Sequence, residues 1–85
     1  MSNVASVEER ILKDIALFAE SRKKVENYFK NQNPKIKKIV ELSEMYASDA
    51  KSYLEKGDNC TSFSCISYAH GLLDAIKELE GISDV

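Results

Sequence analysis

His70 and Asp74 stand four residues apart, the spacing that brings two side chains together on one face of a helix. An imidazole and a carboxylate so placed can orient a general base or supply part of a metal site. On a helical wheel they share their face with Phe63, Ser67 and Lys77, opposite the apolar stripe of Leu72, Cys65 and Ile76. That face is expected to meet solvent, where a local pair contributes only about 0.3 kcal/mol. Phe63 is the unexpected member, and a bulky aromatic among polar side chains makes Phe63, Ser67, His70, Asp74 and Lys77 a candidate interaction surface.

A second candidate is electrostatic. Between Arg22 and Lys38 lie seven basic residues and one acid, Glu26, a local +6 within a chain of net charge −2, which leaves −8 elsewhere. Where the first helix gives way to the second, Lys30, Lys35, Lys37 and Lys38 would form a tip able to touch phosphates, helped by free amides at the start of the second helix. Lys30 also has a plain role in complementing the dipole at a helix C-terminus, but Lys35, Lys37 and Lys38 oppose the dipole at a helix start. Against nucleic acid stands the acidic balance of the whole, with a pI near 5.4, the reverse of the basic domains that bind it.

No nucleophile, base and orienting group converge in the sequence, and no phosphate-binding loop is present, so neither an enzyme nor a cofactor site is expected. Cys60 and Cys65 are five apart; on one helix their Cα atoms would be about 8.5 Å from each other, too far for a disulfide. They read as free thiols in a reducing compartment. With one histidine in the chain, two cysteines do not complete a zinc site. No apolar run approaches the roughly 18 residues of a membrane span, and Glu8 and Glu9 occupy the place of a signal peptide's basic start. A cytoplasmic protein without membrane partners is expected.

The elements that position these groups are three helices. Ser6 and Glu9 form a capping box that opens the first, and Val7, Ile11, Ile15, Phe18, Val25 and Phe29 make one narrow stripe along it to about Lys30. Asn33 is a good cap and Pro34 a good first residue for the second helix, over 34–56. Its stripe of Ile36, Ile39, Val40, Ser43, Ala47, Ala50 and Leu54 has small residues at the middle. Gly57 suits the left-handed position beyond a helix end and Asp58 the cap of a third helix over 59–80. The third helix has a wider apolar arc, which implies two neighbours.

Matched lengths and short loops in 85 residues predict a single all-α domain, a three-helix up-down-up antiparallel bundle. Three finer expectations follow. Arg22, inside the first stripe, should form a polar layer with Ser43 and a carboxylate such as Glu44. Gly71, which costs a helix about 1 kcal/mol, should permit close backbone approach. Leu17 and Met45, off their stripes, are candidates for a dimer contact.

From Tyr46 to Ala75 the chain resembles the archaeal domain-of-unknown-function family 357. The resemblance rests on Tyr46, Asp49-Ala50, Tyr53-Leu54, Gly57-Asp58 and the run Tyr68-Ala69-His70-Gly71-Leu72-Leu73-Asp74-Ala75. Family members carry an aromatic residue just after the Gly-Asp pair, where this chain has Asn59. The resemblance implies a small helical bundle of archaeal source and assigns no activity. The segment before Gly57 is also similar to a tetratricopeptide turn, a generic helical hairpin. A weaker similarity, to helical nucleotidyltransferase-associated domains, lacks the arginine that their ribonuclease members place shortly before a histidine: positions 63–66 are Phe, Ser, Cys and Ile.

The functional expectation is a non-enzymatic protein interaction module that binds an unidentified protein or self-associates. The alternative is a nucleic-acid-binding accessory protein using the lysine tip.

Overall fold

A computed structural model describes residues 6–29 and 33–82, the side chains of Tyr28 and Phe29 excepted. Lys30, the first of the four tip lysines, lies outside the described residues, as does the packing of Phe29. Three α-helices follow one another, α1 (Val7–Phe29), α2 (Pro34–Glu55) and α3 (Asn59–Glu80), within a residue or so of the expected bounds. No strand occurs among the described residues.

Each junction is set by local chemistry. The Glu9 amide donates to the Ser6 hydroxyl at 3.1 Å and starts α1. At α2 the Asn33 side-chain oxygen accepts from the Lys35 and Ile36 amides at 3.0 and 3.4 Å, and Pro34 fills the first position. The α2–α3 turn is a Schellman motif: the Gly57 amide donates to the Leu54 carbonyl at 3.0 Å and the Asp58 amide to that of Tyr53 at 2.9 Å. Gly57 sits at φ +83, where a Cβ would be strained. Asp58 then caps α3 by accepting from the Thr61 amide at 3.1 Å. Gly81, at φ +68, closes α3.

The core is a single cluster. Ile11, Phe18 and Val25 of α1 meet Ile36, Val40, Ala47 and Ala50 of α2 and Ile66, Ala69, Leu73 and Ile76 of α3. The small Ala47, Ala50 and Ala69 let α2 and α3 approach closely, and the Ser62 hydroxyl donates to the Ala50 carbonyl at 2.6 Å across that interface. Contact is most extensive between α2 and α3, less between α1 and α3, and least between α1 and α2. The wide arc of α3 thus serves two neighbours, as expected.

Two expectations change. Gly71 is exposed, and a Cβ there would meet nothing within 4 Å, so it admits no close neighbour. Arg22 does reach Glu44, at 3.7 Å, but its shorter pairing is with Glu26 on its own helix, at 2.6 Å. Ser43 takes no part in that pairing: it is fully buried and its hydroxyl donates to the Val40 carbonyl at 2.6 Å. The polar layer is therefore a half-exposed ion cluster at the edge of the slim α1–α2 contact.

Candidate interaction surface

The face proposed around His70 is divided by the packing of α1. His70 is half-buried; its Nε2–H donates to the main-chain carbonyl of Asp14 at 2.7 Å, and its ring meets Phe18 edge-on with centroids 5.8 Å apart. Its partner is thus the α1 backbone rather than Asp74. Lys77, one helical turn beyond Asp74, is only 6% exposed and its Nζ donates to the Ser21 hydroxyl. The expectation of a solvent-facing His70 and Lys77 is corrected: both help dock α1 on α3. Snorkelling explains the lysine, whose methylene stem covers apolar surface while the ammonium finds an oxygen at the rim. Phe63, Ser67 and Asp74 remain exposed, Phe63 at 51%, but they flank this seam and form no continuous surface with it.

The lysine tip is divided too. Lys35, Lys37 and Lys38 are all exposed. Lys35 and Lys38 line an open groove with Ile39, Glu41, Leu42 and Met45, and Lys37, about 200° around the helix from Lys35, is not among its residues. The amides expected to be free at the start of α2 are engaged: Asn33 accepts from those of Lys35 and Ile36 through its side chain and from that of Lys37 through its carbonyl, and Pro34 has none. An anion reaching this helix start would have to displace Asn33.

A surface that the sequence reading did not single out lies on the side of the α2–α3 hairpin turned away from α1. Along α2 it carries Leu42 and Met45, 37% and 51% exposed, beside half-buried Ile39 and Tyr46. Along α3 it carries Tyr68 and Leu79, 50% and 84% exposed, beside half-buried Cys65 and Leu72. Tyr46 and Tyr68 join the two rows, their rings edge-to-face with centroids 4.5 Å apart, a geometry aromatic pairs favour. Met45, off the core stripe of α2, is exposed as its position on the helix implies. The signal for the rest was in the sequence: the apolar arc of α3 continues through Leu72 to Tyr68 and Leu79, past what two helical neighbours can cover.

Cys65 lies under this row, and its thiol is pushed above its ordinary pKa of 9.0 by burial first and by the carboxylates of Asp49 and Asp58 second. Cys60 is exposed, and both thiols are free. Asp58 is held below its ordinary 3.8 by the Thr61 side chain and amide that bond to it. Among the described residues no group of three or more His, Cys, Asp or Glu side chains is placed to hold a metal ion. No described helix is long and apolar enough to cross a membrane.

Fold and surface define a small antiparallel three-helix bundle with an apolar strip left open on one hairpin. Residues 12–82 match the family model described as protein of unknown function (DUF357). The chain belongs to that family, which the run from Tyr46 to Ala75 had suggested. No curated protein matches the chain.

Proposed function

We propose that this chain is a non-enzymatic protein interaction module, acting in the cytoplasm, that presents the open face of its α2–α3 hairpin to a protein partner. The observation that supports this is the row of Leu42, Met45, Tyr68 and Leu79 left in solvent although the core is complete without them. Apolar side chains scattered singly on a surface are ordinary; rows joined by an aromatic pair are the kind of patch that marks a contact with another protein. The unpaired thiols support a reducing compartment. His70, the only histidine in the chain, is committed to the α1 backbone, which favours a binding role over chemistry.

The test is capture from a cell extract by the intact chain and by a Met45→Glu, Tyr68→Glu variant whose helical content is unchanged. Specific capture by the former alone is expected; equal capture by both, or a strict monomer that captures nothing, would remove the module reading.

The second reading, a nucleic-acid-binding accessory, rests on exposed Lys35, Lys37 and Lys38. It requires retention on RNA or DNA at low salt, lost steeply as salt rises and abolished by replacing the three lysines with glutamate. The capped amides and the separation of Lys37 from the other two count against it.

A further inference from the structure

The three helices do not share the core equally. On α2 the buried positions run from Ile36 to Ala50, and on α3 from Ser62 to Ile76, in alternate steps of four and three residues. That double row lets two helices interlock, knobs into holes. On α1 the described buried side chains are Ile11, Phe18 and Val25, seven residues apart, a single file of half the density. The positions beside the file are half-buried and, Ile15 apart, polar: Asp14 and Ser21 toward α3, Ile15 and Arg22 toward α2.

Both flanks of α1 are weakly held. Toward α2, a cleft of about 250 Å³ runs between Ile15, Ala19 and Arg22 on one side and Glu44, Ser48 and Lys51 on the other. Toward α3, the attachment is two hydrogen bonds, from His70 Nε2–H to the Asp14 carbonyl and from Lys77 Nζ to the Ser21 hydroxyl. Water replaces either partner when the helices part, so their net hold is modest. Parting also returns the ammonium of Lys77, 6% exposed, to full hydration. The hairpin depends on none of these contacts. Eight of the eleven buried apolar core residues are its own, and it is tied by the Ser62–Ala50 bond, the Schellman turn and the Tyr46–Tyr68 pair.

We propose that α1 is a releasable strap: it lifts off the hairpin as one unit while α2 and α3 stay docked, in a reversible opening that lies below global unfolding in free energy. The contact is autoinhibitory for the hairpin's inner face. Closed, α1 occupies the face that carries Val40, Ala47, Ile66, Leu73 and Ile76; open, it bares them. The module reading concerns the opposite face of the hairpin, and the strap does not rest on it.

Native-state amide exchange on the full chain, followed residue by residue by NMR, is the test. The amides from Ile15 to Arg22 should share one protection factor, about tenfold or more below that of the amides of Ala47, Ala50, Ala69 and Leu73. Ser62→Ala removes a bond present in both the closed and the opened chain. It should therefore lower protection in α2 and α3 by about fivefold and leave α1 unchanged. Val25→Ala trims one end of the α1 file and should lower protection equally at Ile15 and Arg22, by about tenfold or more. Protection in α1 that matches the hairpin's, or falls with it in Ser62→Ala, makes the bundle one cooperative unit and overturns the proposal. A Val25→Ala effect confined to the residues around position 25 is fraying of α1 rather than its release, and overturns it too.

Discussion

The Ser62 hydroxyl donates to the Ala50 carbonyl at 2.6 Å, with both residues fully buried and one on each arm of the hairpin. Ala50 is five residues before the end of α2, so its carbonyl is already engaged in the helix and takes the serine as a second donor on its other lone pair. The bond therefore measures α2–α3 docking without being required by either helix alone.

Ser62→Ala should lower stability by about 1 kcal/mol, the net worth of one such bond. Ser62→Val should cost more, because the added methyls must enter a site where the two backbones are held close by alanines. Urea unfolding followed by circular dichroism checks both, with an unchanged slope showing that the effect is on the folded state.

Gly57 and Gly71 should respond to alanine with opposite signs. At Gly57 the left-handed backbone, φ +83, makes a Cβ costly by about 1 kcal/mol. At Gly71 an added methyl meets open space in the middle of a helix, and Gly71→Ala should stabilise by up to about 1 kcal/mol. Thermal melts of the two variants beside the parent decide it; destabilisation by Gly71→Ala would restore the close approach that the sequence suggested.

Acid should release the Asp58 cap. Its folded carboxyl titrates below its ordinary 3.8, so the folded state binds this proton less readily than the unfolded chain does. The associated stability is in place above the unfolded value, and it is lost as pH falls through the lower, folded one. Asp58→Asn, which keeps a capping oxygen without the charge, should therefore be less stable than the parent at neutral pH. It should approach the parent's stability below about pH 4. Melts at neutral pH and through the acid range are the measurement.

The two thiols should differ in reactivity. The thiolate is the nucleophile, and Cys65 is disfavoured by burial and by two carboxylates while Cys60 is exposed. Iodoacetamide at pH 8, read by peptide mass spectrometry at short times, should modify Cys60 several-fold faster.

Large core truncations calibrate these smaller effects. Leu73→Ala, at a wholly buried position, should cost about 2–5 kcal/mol, a large share of the stability of a domain this small. Arg22→Ala should cost well under 1 kcal/mol, since its pairs with Glu26 and Glu44 are half-exposed.

What the sequence determined by itself is where the helices begin and end. Ser6, Asn33-Pro34, Gly57-Asp58 and Asp58 as a cap act within three or four residues of themselves, so their consequences are readable from neighbours in the chain. The core stripes were legible for the same reason, since the helical period places Ile11, Phe18 and Val25, or Ile66, Leu73 and Ile76, on one side whatever they face. Only the tertiary structure decided which polar side chains that period would bury. His70 and Lys77 look solvent-bound on a wheel drawn for α3 alone, and each acquires a partner 56 residues away because α1 comes to lie over that side. The open hairpin face has the converse cause. Its apolar residues were visible, but whether a helix covers them depends on which side of the hairpin α1 takes, and α1 takes the other.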